Sequence, residues 1–375
     1  MFLALRELIF ARSRFTLMGS VVALISVLMV LLAGLSSGLV NDGVSGLQRM
    51  PVQAVAFAPE TRTDSAFTRS VVGSDQVEQW VARPDVSVAT PMGLSIINAR
   101  TSAGTPVDLT LIGADPQGPL VPEVAEGRAP ASDGEILISA TAADDVELGD
   151  TVTVDRLGIP LEVVGIAADQ HTFGHVDMAF TTLPTWQDVH AGTRLGEEPR
   201  AGAREEYSVV AIAGVDGALP DLAAGDAAAG TSGRTMEEAF DSSPGYQAEM
   251  MTMSMITWFL YAISALVVGA FFAILTVQRS REIAVLRAMG ASTARLLIDV
   301  VGQALILLVV AIGAGVAIGV GVGSLLLGTG MPFALEAGPI ALGAVLLLVL
   351  GLAGATLATV RISSVDPHSA LGENR

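Results

Sequence analysis

The residues of this chain best suited to chemistry lie in one stretch, SSPGYQAEMMTMSM at 242–255. Tyr246 and Glu249 are three apart, so on a helix both lie on one face. A phenolate and a carboxylate are oxygen donors that suit ferric iron, and tyrosine is one of the axial ligands that hold haem. Met250 and Met253, with Met251 and Met255, add polarizable, adaptable side chains around the pair. A long apolar run follows, so an amphipathic ligand such as haem would reach this depth sideways, through the membrane. The same residues also suit a plainer role: Tyr246 anchors a helix at the interface and the methionines pack. Both readings stand at this point.

A second candidate is the pair His171 and His175 in DQHTFGHVD. Four-residue spacing would put both on one helical face, but Gly174 and the preceding strand-like run predict a loop. There they are ordinary surface histidines, or they touch acidic groups of a substrate at the mouth of the site. Asp144 and Asp145 read as a solvated helix end. Nothing else suggests catalysis: G-x-S-x-G and H-E-x-x-H are absent, and so is cysteine, which excludes zinc-thiolate and cysteine-nucleophile chemistry. Every basic residue is arginine. A P-loop needs a lysine on the β- and γ-phosphates, so any ATP and Mg chemistry must belong to another chain. The sequence implies no intrinsic cofactor.

The elements that position these residues are membrane spans. Of 375 residues 51% are hydrophobic and 15% charged, too little charge for the surface of a soluble protein of this size. Four apolar stretches meet the about 20 residues that a helix needs to cross the hydrocarbon core: 16–40, 252–277, 296–327 and 339–360. The first is too long for a signal-peptide core and lacks an A-x-A site. Arg6, Arg12 and Arg14 precede it; Arg279, Arg281, Arg287 and Arg295 fall between the second and third; Arg361 follows the fourth. Positive-inside placement therefore predicts cytoplasmic termini and a cytoplasmic 278–295 loop in a bacterial plasma membrane, with 41–251 outside and 328–338 a short outer loop. Residues 1–15 read as an interfacial helix along the inner leaflet or as an ordinary helix start. The 361–375 segment is a cytoplasmic tail.

The outer block holds 32 acids against 11 arginines, a charge balance that repels nucleic acid. It reads as mixed α and β. Strands are predicted near 51–59, 86–100, 107–115, 134–139, 150–154, 161–169 and 207–214, and helices near 74–82, 140–147, 184–190 and 235–241. The Ala-, Gly- and Asp-rich stretch Gly217–Gly233 predicts a flexible loop.

The loop QRSREIAVLRAMGAS (278–292) can form a short amphipathic helix ending at Gly290, with Ile283, Leu286 and Arg287 as a ridge beside Glu282. Such a helix suits docking into a cleft of a soluble partner; a charged loop of any polytopic protein would also fit. Here the chain resembles the FtsX/MacB-like ABC permeases, whose loop reads RxxEIAxLRAxGAS. RISSVDPHSAL (361–371) and GEILISATAADDVELGDTVTV (134–154) are similar to further segments of that family, as is the order of one helix, a large outer domain and three helices. The resemblance implies a homodimer of permeases bound to two copies of a cytoplasmic ABC ATPase. Arg279, Glu282, Ile283, Leu286 and Arg287 would couple them, working by mechanotransmission without a central pore. Haem-exporting members carry a similar Tyr–Glu segment, so the resemblance also makes Tyr246 and Glu249 haem contacts, with haem as substrate drawn from membrane lipid. Exporters of lipids, glycolipids or peptides, and permeases that only activate a cell-wall hydrolase, share the layout. Gly315, Gly319 and Gly323, and Gly34 with Gly38, form small-residue stripes that suit either packing within one protomer or a dimer seam.

Overall fold

The structure, a computed structural model, describes residues 12–278 and 293–363. Arg279, Glu282, Ile283, Leu286 and Arg287, the first eleven residues and the tail from 364 lie outside the described residues. The chain divides into two compact units, Met1–Leu39 with Met250–Arg375, and Val40–Glu249.

Among the described residues four helices are long and apolar enough to cross a membrane. They are Arg12–Gln48, Tyr246–Gln278, Thr293–Ser324 and Ala337–Ser363, here the first to fourth spans. Polarity changes at Asn41, which is why the sequence ends the first helix at Val40. The helix nonetheless continues to Gln48, because Val44 and Leu47 are completely buried. Tertiary burial, rather than hydropathy, sets that end. The second span likewise begins at Tyr246, six residues before the apolar run expected from 252.

The spans approach one another where side chains are smallest. A Cβ on Gly315 would run into the Ala23 carbonyl and the Ser26 side chain, one on Gly319 into Val30, and one on Gly323 into Phe333 and Leu335. Gly34 faces the Phe333 ring and Gly38 the Pro332 backbone. The two stripes therefore pack within the protomer, joining the first span to the third and to the loop after it. Between the second and fourth spans, Gly354 meets the Ala265 carbonyl. In lipid the hydrophobic effect does not draw helices together, so close backbone approach supplies the attraction instead.

The second unit is built on a mixed eleven-stranded sheet. Its strands begin with β1 (Ala54–Phe57), β2 (Val72–Gly73), β3 (Val86–Thr101), β4 (Pro106–Ala114) and β5 (Val124–Gly127). They continue with β6 (Glu135–Ile138), β7 (Thr151–Val154), β8 (Pro160–Ala167), β9 (Thr172–Phe173) and β10 (Val176–Thr182). The last are β11 (Glu206–Tyr207), β12 (Val209–Gly214) and β13 (Ser232–Thr235). The spatial order is β13-β1-β12-β3-β4-β10-β6-β8-β5, with β7 on β3 and β8, and β9 on β10; β2 and β11 pair separately. β10 runs parallel to β4 and antiparallel to β6, and most of it is buried, so it lies at the centre of the sheet.

Two indoles fix the helices against this sheet. Gly93 and Gly113 face each other across β3 and β4, and their missing side chains leave the slot filled by the buried Trp186 of helix Leu183–Ala191. Trp80 of helix Ser74–Val81 fills the space over Gly225 in the same way. That contact corrects the expectation of a flexible loop over Gly217–Gly233. Leu222–Ala229 is a helix, capped by the Asp221 carboxylate on the Ala224 N–H and closed by left-handed Gly230, and β13 follows it. The helix expected at 140–147 shortens to a 3₁₀ turn, Thr141–Asp144, with Asp144 and Asp145 exposed.

Gly315→Val should destabilise the protein by about 1–3 kcal/mol, the usual cost of overpacking. Its thermal midpoint in detergent should fall, whereas Gly313→Ala, which meets open space, should leave it unchanged.

Candidate functional site at the start of the second span

Gly245, with a φ of 78°, turns the chain out of the loop, and Tyr246 opens the helix. Tyr246, Glu249, Met250 and Met253 then fall at i, i+3, i+4 and i+7, on one helical face. Further along, the same stripe carries Leu260, Tyr261, Ser264 and Val268, all buried. Met251 is 70% exposed and Met255 54%. The methionines are therefore split: Met250 and Met253 share the face of Tyr246 and Glu249, and the other two point away.

A hairpin tip meets this face. β9 and β10 are joined by the two-residue turn Gly174-His175, and Phe173 pairs with Val176. Both turn residues have positive φ, 59° and 63°, as a type I′ turn requires. The Gly174 N–H donates to the Gly43 carbonyl at 2.8 Å, and the Ser243 hydroxyl donates to the same oxygen at 3.2 Å. The Thr172 N–H donates to Ser45 Oγ at 3.0 Å, and its hydroxyl donates to the Asn41 carbonyl at 3.0 Å. Gly46, too close to Met178 to carry a side chain, completes the contact. The hairpin is thus bonded to the outer end of the first span and to the segment that opens the second.

His175 joins the two helices directly. Its Nδ1 lies 2.7 Å from Asp42 Oδ2, and its Nε2 lies 3.2 Å from both carboxylate oxygens of Glu249. Two carboxylates can be satisfied together only if both ring nitrogens carry a proton, that is, by the imidazolium. Partial burial lowers the His175 pKa, but the hydrogen bond to Asp42 and the charges of Glu249 and Asp42 outweigh it and raise the value above that of ordinary histidine. Beside it Asp177, accepting from the Thr141 hydroxyl, has its pKa raised by burial and by the neighbouring Asp42 and Asp145. Tyr246 lies over Gly43, where an added Cβ would come 3.4 Å from the tyrosine ring and 4.0 Å from the His175 ring. Phe240 closes the other side of Tyr246, edge-on at 6.3 Å.

The structure therefore brings together Tyr246, Glu249 and His175 of the sequence candidates. His171 is a correction. It is 5% exposed, packs edge-on against Phe180, and its Nδ1 lies 2.9 Å from the Asp169 carbonyl. Burial lowers its pKa and keeps the ring neutral. The chain enters β9 at this point with the ring turned inward, so His171 is a buried packing residue rather than a surface histidine. Asp42 and Gly43 escaped the sequence reading; the abrupt polarity of NDG after an apolar helix was the one available sign. Among the described residues no group of three or more histidines and acids is placed to hold a metal ion; Asp42, His175 and Glu249 form a hydrogen-bonded chain. An apolar groove of about 480 Å³ between Phe15–Ala23 and Ile306–Ala314 shares no residue with this site.

Residues 254–367 match the FtsX-like permease C-terminal family. Over 99% of both chains, the protein is 25% identical to a Staphylococcus haemolyticus protein described as a hemin transport system permease, HrtB. It is 24% identical, also over 99% of both chains, to an uncharacterized ABC transporter permease of Mycobacterium tuberculosis. The extracellular domain of the noncanonic ABC-type transporter YknZ from Gram-positive bacteria is similar at 15% identity and a TM-score of 0.35, covering 49% of this chain and 98% of that one. The region that holds most of the second span and the third and fourth is thus similar to the FtsX-like permease C-terminal family, and it follows a first span and a large α/β domain.

Proposed function

We propose that this chain is the permease of an exporter that expels haem from the outer leaflet, using ATP hydrolysed by a separate ATPase subunit. The observation that carries the reading is the shared face of Tyr246, Glu249, Met250 and Met253 at the outer start of the second span. It offers a phenol and a carboxylate as oxygen donors and two thioethers against a flat apolar ring system. Full-length similarity to a protein described as a hemin transport permease supports the same substrate. Two copies of the chain pair in this scheme, each with its termini in the cytoplasm. Two ATPase subunits dock on the 278–295 loops through Arg279, Glu282, Ile283, Leu286 and Arg287. Nucleotide binding draws the helices together, and the long first and second spans carry that motion outward.

The purified protein should bind hemin with a ferric, oxygen-ligated spectrum. Tyr246→Ala with Glu249→Ala should weaken binding by roughly tenfold or more, the loss expected for two direct polar contacts. Unchanged titration of the double variant would remove the site, and stimulation of ATP turnover by a lipid or glycolipid but not by hemin would replace the substrate. Coupling is tested separately. Glu282→Ala with Arg287→Ala should reduce ATP turnover of the reconstituted complex to that of the isolated ATPase, and full activity of that variant would exclude the loop as the coupling element.

A further inference from the structure

The sequence left His175 either as an ordinary surface histidine or as a contact for acidic groups of the substrate. The geometry assigns it a different task. Its two ring nitrogens are already spent, one on Asp42 of the first span and the other on Glu249 of the second. The residue itself sits in a two-residue turn with a φ of 63°, which fixes where its side chain leaves the backbone, and the Asp42 bond fixes the ring from there. That turn is in turn held by the Gly174 N–H on the Gly43 carbonyl and by the Thr172 bonds to Ser45 and Asn41. A ring held so firmly on one side acts as a fixed post for whatever it binds on the other.

We propose that His175, braced by Asp42, positions the Glu249 carboxylate and ties the second span to the first, and that the substrate must take Glu249 from it. The tie itself rests only on the geometry; the competition rests on the reading of Glu249 as a haem contact. Glu249 has one carboxylate with two oxygens, and both lie at 3.2 Å from His175 Nε2. A ligand that needs those oxygens removes the second partner of the imidazolium and leaves it on Asp42 alone. The helices are then joined by one bond fewer at their outer ends. Loading the site would thereby loosen the link between the two spans before any nucleotide acts.

The chain has no cysteine, so Asn41→Cys and Gln247→Cys provide two unique sites for nitroxide labels in the full-length protein. Asn41 contributes its backbone carbonyl to the hairpin, and Gln247 is exposed, so labelling leaves the tie intact. Dipolar coupling between the labels reports the separation of the two helix ends. The tie predicts a narrow distribution that broadens in His175→Ala and in Glu249→Gln, and no further in the combined variant, as expected of two residues acting through one contact. Hemin added to the otherwise unaltered labelled protein should broaden it in the same way, and should add nothing to His175→Ala.

The competition predicts that His175→Ala binds hemin more tightly, by roughly two- to fivefold, the worth of a partly exposed ion pair. Asp42→Asn should lie between the two, because it loosens the post without removing it. Weaker hemin binding by His175→Ala, with the label distances unchanged, would overturn the proposal and make the histidine a direct substrate contact. Distances that respond to His175→Ala in a protein that never binds hemin would keep the tie, discard the competition and refute the haem reading. Additive broadening by the two single variants would show that they do not share a contact.

Discussion

The structure of the second unit depends on the attachment of one β-hairpin tip to two helix ends. Gly174 and His175 turn the chain between β9 and β10, and in that turn they bond residues 41–46 on one side and 243–249 on the other. β10 then runs straight into the middle of the sheet, between β4 and β6, with Met178, Ala179 and Phe180 buried. A close-packed interior does not absorb displacement locally. Either helix end is therefore bonded, through the hairpin, to the strand at the centre of the domain rather than to a loop. The positive φ of both turn residues is the local condition for this, since a two-residue I′ turn is what brings the tip close enough to bond the Gly43 carbonyl.

Small residues supply the close approaches in both units, for different reasons. In the membrane unit Gly315, Gly38 and Gly354 let backbones meet where apolar burial gives no preference for protein over lipid. In the outer unit Gly93 and Gly113 make room for an indole, Gly225 does the same for Trp80, and Gly46 for Met178. There the gain is the ordinary one of burying a large aromatic or thioether side chain. The same residue type thus serves contact between helices in one solvent and jigsaw packing in the other.

Charge completes the picture. The outer unit is strongly acidic, and at the site two carboxylates are held apart by a single imidazole whose protonated form satisfies both. Such a chain is partly exposed, so its electrostatic contribution to stability is modest; its importance is geometric, because it fixes where a carboxylate points.

Hydropathy and arginine placement alone specified four spans, an acidic block after the first and the chemical character of Tyr246 and Glu249. These are local properties: an apolar run of sufficient length has few alternatives to a membrane helix, and a three-residue spacing on a helix needs no partner to be meaningful. The glycine stripes were visible as well, but which surface they met was not. Tertiary structure decided what depended on contacts far apart in the chain. It extended the first helix to Gln48 through burial of Val44 and Leu47, and turned an Ala- and Gly-rich stretch into a helix under Trp80. It separated Met250 and Met253 from Met251 and Met255. It also parted His171 from His175, four residues apart in sequence, because a tight turn sends one ring into the core and the other to Glu249. No spacing rule could pair residues 42, 175 and 249, since their encounter is made by a sheet that brings one hairpin to the ends of two helices.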